Sequence, residues 1–225
     1  MVKSSIVSID TKSGPPSVVL TYDDGPEPQG THEVLSALSD AGVTATFFVL
    51  LTRTRMNPKL VMEIQSQGHE LALHGVNHKS LLEMSRDEVF TRTRDAKGEL
   101  EDLIGKEVKW FRPPYGQQTQ EHVDAVYEAG LTPVLWNVIC FDWADVTHEF
   151  RLSEVRGMNQ PGAILLAHDN IACAPDGVEY DPCPPFSRGA LTRDIIEIFQ
   201  TKGFECRGLS DALKTGDAVW ESKVS

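Results

Sequence analysis

The stretch Val18-Val19-Leu20-Thr21-Tyr22-Asp23-Asp24-Gly25-Pro26 runs from three apolar residues into two adjacent carboxylates and a turn. Neighbouring Asp side chains repel each other and resist burial. At the end of a core strand they therefore call for a cation, hydrogen bonds or a shared proton. A metal answers that need, and a plain polar turn is the alternative, because Asp, Gly and Pro are ordinary turn residues. Which of the two holds depends on what other ligands the chain brings to the same place.

Working outward, Glu27 to Ala41 reads as a helix with Val34, Leu35, Leu38 and Ala41 on one face, ended by Gly42. Val43 to Leu50 is rich in β-branched and aromatic residues, as expected of a strand buried on both faces. Asn57 to Gln67 is a short helix closed by Gly68, and Glu70 to Leu73 is a strand ending at His74. Ser85 to Ile104 is the clearest helix, with Val89, Thr93, Ala96, Leu100 and Leu103 at three- and four-residue steps behind the capping pattern Ser85-Arg86-Asp87-Glu88. Strands follow at Val108 to Phe111, Leu131 to Ile139, Gly162 to Ala167 and Phe204 to Cys206, with helices at Glu121 to Ala129 and around Ile195, Ile196 and Phe199. This alternation points to a parallel α/β fold, either a barrel or an open doubly wound sheet. Asp23-Asp24, His74, Arg112, Asp142 and His168 all fall just after strands. The carboxyl ends of parallel strands gather on one face, where active sites are built.

The 225 residues are read as a single catalytic domain (1–225) with its core at about 18–209. A 40% apolar and 24% charged composition is ordinary for a globular protein. The net charge of −12 argues against nucleic acid and anionic membranes as partners. Met1 to Ser17 holds only short apolar pieces such as Ile6-Val7, so neither a signal peptide nor a membrane span is expected, and as written the chain reads as cytoplasmic unless a signal was trimmed. Of the four cysteines, none forms a Cys-x-x-Cys pair, and free buried thiols are expected. Cys173 and Cys183 bracket a loop rich in Pro and Asp that a disulfide could staple in an oxidising compartment.

His74-Gly-Val-Asn-His78 spaces two imidazoles four residues apart. In a helical turn both rings would share a face and bind one metal. With Asp24 the set becomes two imidazoles and one carboxylate, the donor count of a catalytic zinc site that keeps a position open for water. Asp23 is then placed to take a proton from that water, with Arg112 of Arg-Pro-Pro-Tyr holding it ionised. His168, at the end of Ile164-Leu-Leu-Ala-His, is a second candidate for proton transfer.

Together these residues resemble the polysaccharide deacetylases of carbohydrate esterase family four over roughly Val18 to Leu209, with the motifs in the family's linear order. The resemblance implies a distorted (β/α)7 barrel. It makes Asp23 the general base and Asp24, His74 and His78 the ligands of a divalent metal, expected to be zinc. Arg112 orients the base, and the Tyr115 backbone helps hold the oxyanion. Trp143 walls the groove, Leu166 lines the acetyl pocket, and His168 is the general acid. Tyr22 stands where Phe is commoner, Gly75 where Ser or Thr is usual, and Ile139 where the fourth motif commonly opens with Asp. If that Asp tunes the acid, its part is absent here or is supplied by another carboxylate. The implied activity is removal of an N-acetyl group from an amino sugar or glycan. The alternatives are hydrolysis of another amide or a cyclic ureide, with the Asn170 to Ser187 loop reshaping the pocket, or a non-catalytic sugar-binding protein.

Overall fold

The structure is a computed structural model that describes residues 3–12, 14–178 and 184–222. Ten strands and eight helices alternate among these residues in the order β1 (Ser5–Thr11), β2 (Ser17–Asp23), α1 (Pro28–Ala41), β3 (Thr46–Val49), α2 (Leu51–Met56), α3 (Pro58–Ser66) and β4 (Glu70–Leu73). They continue with α4 (Arg86–Ile104), β5 (Trp110–Phe111), α5 (Gln120–Glu128), β6 (Thr132–Pro133), β7 (Val138–Ile139), α6 (His148–Gly157), β8 (Ile164–His168), α7 (Arg188–Thr201), β9 (Glu205–Arg207), α8 (Leu209–Ala212) and β10 (Gly216–Glu221). No helix among the described residues is long and apolar enough to cross a membrane.

Seven strands form a curled parallel sheet in the order β6-β5-β4-β3-β2-β8-β7, with β9 pairing the start of β2. This is the half-barrel of a (β/α)7 fold. All seven residues of β2 are buried, so the apolar run of the opening stretch serves both faces of the sheet. Register then sets the site. Asp23 lies opposite Phe48 of β3 and His168 of β8, and Leu73 of β4 lies opposite Phe111 of β5. The residues that follow these strands, Asp24, His74 and Arg112, therefore emerge along one rim.

The helices begin and end where local chemistry directs. Ser85 Oγ accepts the Glu88 N–H to start α4, and Gly105 ends it in the left-handed region. Gly42 ends α1 in the same way at φ 65°. On α4, Val89, Thr93, Ala96, Leu100 and Ile104 are buried, whereas Leu103 only packs against the core from its edge.

Two expectations from sequence change. Leu131 to Ile139 is not one strand: β6 and β7 sit on opposite edges of the sheet, and the chain between them crosses the open seam. The short apolar pieces before Ser17 form β1, which fills that seam. Leu135 N–H donates to Ile6 O, and Ile9 N–H donates to Gly162 O. Ile6 and Ile9 are both buried, and burying each apolar side chain of this size contributes about 1.5–3 kcal/mol. Only glycine fits at 162, because its φ is 78° and a Cβ would stand 1.6 Å from Ile9 O. β10 pairs antiparallel with β1 as a two-stranded sheet on the outside. Among the described residues Cys140, Cys173 and Cys206 form no disulfide, the first and last being buried; the pairing of Cys173 with Cys183 falls on residues outside the described ones.

Candidate active site

At the rim, Asp23, Asp24, His74, His78, Tyr115, Trp136, Trp143, Leu166, His168, Ile171, Ala172 and Val178 line a cavity of about 320 Å³. Every site residue expected from the sequence lines it except Arg112, which lies fully buried behind Asp23.

Asp24 follows the end of β2 with φ 73°, a left-handed geometry that Asp tolerates better than most residues. Its Oδ1 is buried without a hydrogen-bond partner, 3.3 Å from His74 Nε2 and 3.4 Å from His78 Nε2. One ligand atom from each of these three buried residues lies within 4.8 Å of the others, a cluster fit for a metal ion. His74 Nδ1–H donates to the Arg112 carbonyl at 2.9 Å, which leaves the Nε2 lone pair facing the cluster. The orphaned carboxylate oxygen and the fixed tautomer fit a divalent cation held by two imidazoles and one carboxylate. Burial opposes charge on Asp24, but the close approach of His74, His78 and His168 holds its carboxyl well below the usual range. Burial lowers the His78 imidazole to about 4, keeping it neutral and able to bind a metal. The His74-x-x-x-His78 segment is a bent loop rather than a helical turn, with Gly75 at φ 103°. The two rings converge because the loop folds back and brings them, tilted at 56°, to a centroid distance of 5.2 Å.

Asp23 faces the same cavity with its other side tied down. Arg112 Nη1 donates to Asp23 Oδ1 and to Thr21 Oγ1, both at 2.7 Å. The guanidinium is completed by the Val134 and Leu135 carbonyls and lies 4.0 Å from the Phe48 ring centroid. The buried ion pair thus fixes one oxygen of Asp23 and leaves the rest of the carboxylate turned to the cavity.

Across the cavity, His168 Nδ1–H donates to Asp142 Oδ1 at 2.8 Å, and its backbone N–H donates to Asp142 Oδ2 at 2.7 Å. Ile139 supplies no carboxylate; Asp142, beside Trp143, is the carboxylate that holds the acid candidate. Burial opposes protonation of His168, but the charge and hydrogen bond of Asp142, aided by Asp24 and Asp23, push the imidazole up to about 9. Arg188, at the start of α7, donates from Nη1 to Asp142 Oδ2 (3.3 Å) and to the His168 carbonyl (2.6 Å). Sequence reasoning missed Arg188, since no motif surrounds it and its partners lie twenty and more residues away.

The walls come from several elements. Tyr115, at φ 60°, sets its ring edge-on to His78 with centroids 4.3 Å apart. Trp136, also missed, lies in the segment that crosses the seam. It packs so closely on Gly116 that a Cβ there would meet its ring at 2.7 Å. The loop after β8 supplies Ile171, Ala172 and Val178. It touches the metal cluster through the Ala172 N–H, which donates to Asp24 Oδ2 at 3.0 Å, and through Asp176 O, which accepts the His78 N–H at 2.9 Å. Asp176 is itself clamped by Arg53 Nη2 at 2.7 Å and Thr52 Oγ1 at 2.7 Å.

Known proteins resemble this chain in sequence and fold. The family model described as polysaccharide deacetylase matches residues 10–134. A chitooligosaccharide deacetylase of Bradyrhizobium sp. is 35% identical over 204 residues, covering 88% of this chain and 90% of the relative. A peptidoglycan-N-acetylglucosamine deacetylase of Bacillus cereus is 32% identical over 151 residues, covering 67% of this chain and 55% of its own length. Among solved structures, a family 4 carbohydrate esterase from Streptomyces lividans in complex with acetate superposes with a TM-score of 0.75 at 26% identity, covering 91% of this chain and 97% of that one. A family 4 pseudoenzyme from Bacillus anthracis superposes with a TM-score of 0.81 at 20% identity, covering 100% of this chain and 74% of its own, a likeness of fold alone. An enzyme and a pseudoenzyme thus share one backbone, so the fold gives the ancestry and the side chains must give the activity. From the motif-bearing strands to the family model, this chain belongs to the polysaccharide deacetylase family.

Proposed function

We propose that the protein is a metal-dependent hydrolase that removes N-acetyl groups from an N-acetylated amino sugar or glycan. The observation that carries this reading is the pairing of two oppositely prepared groups over one cavity: Asp23 fixed by Arg112, and His168 fixed and charged by Asp142. Amide hydrolysis needs both, a base for the incoming water and an acid for the departing amine. Asp24, His74 and His78 would hold the divalent ion, with zinc as the ion this donor set suits best. When bound, that ion supplies Lewis acidity and a lowered pKa for water.

The chain's own residues do the rest. Asp23, oriented by Arg112, accepts the proton of the attacking water. The Tyr115 backbone amide is assigned to the developing oxyanion. Leu166 and Trp143 give the acetyl methyl an apolar seat and keep bulk water from it. His168 carries its proton at Nε2, since Nδ1 is committed to Asp142, and delivers it to the amine nitrogen as the C–N bond breaks. The products are acetate and a free amino sugar.

The deciding experiment measures acetate release from N-acetylglucosamine oligomers, with and without a chelator, beside a panel of cyclic amides and ureides. Chelator-sensitive acetate release is the expected result. Turnover of a cyclic amide without acetate release from any sugar would replace this reading with that of a related amidohydrolase. Full activity in Asp24→Ala protein would also refute it.

A further inference from the structure

Leaving the cavity on the side of His168, the wall continues as aromatic surface. Trp143 lies edge-on to His168 with ring centroids 5.6 Å apart. Phe141 is 5.5 Å from Trp143, and Phe150 is 5.5 Å from Phe141, ring centroid to ring centroid. Trp143 is 37% and Phe150 46% exposed. Two exposed aromatic rings joined through the half-buried Phe141, one of them lining the pocket, mark a ligand surface more than a stability feature.

The backbone holds these rings deliberately. Phe141 has φ 50°, in the left-handed region that bulky residues avoid. Among the described residues, the other non-glycine positions with positive φ are Asp24 and Tyr115, both lining the cavity. Phe150 is fixed at the start of α6, where its N–H donates to the capping Thr147 Oγ1 at 3.2 Å.

We propose that Phe141 and Phe150 extend Trp143 into an aromatic ledge that seats the neighbouring neutral sugar ring of an N-acetylated oligosaccharide. The proposal rests on the deacetylase reading and names the part of the substrate beyond the acetamide. A pyranose in its chair form has an apolar face of axial C–H groups and a rim of hydroxyls, which suits an aromatic face with a wet edge. The charges favour a neutral ring. Among the described residues no Lys or Arg lines the cavity, and the arginines behind it are paired, Arg112 with Asp23 and Arg188 with Asp142. Beside the ledge, Glu149 is paired with Arg156 and His148 with Asp194.

The test is a chain-length series of N-acetylglucosamine oligomers, from two to five units, assayed for acetate release by wild-type protein, Phe150→Ala and Phe150→Trp. Leu82→Ala, an exposed apolar residue outside the cavity, serves as the control. Wild type is expected to gain kcat/KM with length. Phe150→Ala should lose roughly threefold to tenfold of that gain, the size of one aromatic contact, mainly in KM. Phe150→Trp should restore it, and Leu82→Ala should match wild type. A wild type indifferent to length, or a Phe150→Ala protein with the wild-type length profile, overturns the ledge while leaving the deacetylase intact. Acetate release from no member of the series overturns the deacetylase reading and the ledge with it.

Discussion

Asp142 grips His168 twice, through the ring Nδ1–H at 2.8 Å and through the backbone N–H at 2.7 Å, so both the tautomer and the ring plane of the imidazole are fixed by one carboxylate. Replacing it with Asn keeps the shape and removes the charge. The imidazole, raised to about 9 in the intact protein, should then titrate lower, and the alkaline limb of kcat/KM should move down by about one pH unit or more in Asp142→Asn. Stability follows the same sign. A histidine raised from 6.5 contributes stability that is fully present below pH 6.5 and is lost as pH rises through 9. Urea titrations across that window should show a decline in wild type that is flattened in the variant.

Arg188 predicts the opposite shift. It shares the Asp142 carboxylate with His168, so removing its charge leaves Asp142 with a stronger hold on the imidazolium. Arg188→Met should lower kcat by about tenfold through lost positioning while moving the alkaline limb upward. Arg188→Lys should return the limb toward its original place. A merely structural role would lower activity without moving the profile, and pH-rate measurements on the two variants separate the cases.

The Arg112–Asp23 pair has no water to fall back on, with exposure of 0% and 3% on its two side chains. Arg112→Met should destabilise the fold by about 3–5 kcal/mol because it strands a buried carboxylate. The double variant Arg112→Met with Asp23→Asn should be closer to wild type in stability than the sum of the single variants, although inactive. Denaturant unfolding of the three proteins completes that cycle.

What could be read from the sequence was what the chemistry keeps local. Asp23-Asp24, His74 to His78 and the Arg-Pro-Pro-Tyr turn each announce themselves within a few residues, and the end of β2 explains itself because adjacent carboxylates need partners. The link from Asp142 to Arg188 is not local. It depends on the first turn of α7 reaching across to the loop after β7, and no periodicity encodes such an approach. The break between β6 and β7 was hidden for another reason: Leu131 to Ile139 is apolar enough for a strand throughout, and only the closure of the sheet shows that its middle must cross a gap. β1 was hidden because a strand that fills a seam can be short and only partly apolar when its neighbours supply the hydrogen bonds.

The loop carrying Ala172 should report on the metal site. Arg53 and Asp176 form a pair whose side chains are 8% and 0% exposed, and this pair pins the segment whose backbone touches both Asp24 and His78. Arg53→Met should therefore weaken divalent-metal affinity by about tenfold or more without altering a ligand, as loss of an outer-shell contact does. Competition against a chromophoric chelator measures it. An unchanged affinity would mean that the loop only walls the cavity.

The pairing of β1 with β10 reaches further than the seam it covers. It joins parts of the chain as remote as Ser4 and Ser222, separated by 218 positions. Contacts of that sequence separation are the slowest to find each other. β1 itself fills the gap through its bonds to Leu135 and Gly162, and Gly216–Glu221 covers the outer edge that β1 would otherwise leave unpaired. The strands that carry the site, β2, β4, β5 and β8, belong to a sheet that does not include β10, so loosening this outer pairing leaves the hydrogen bonds among them untouched.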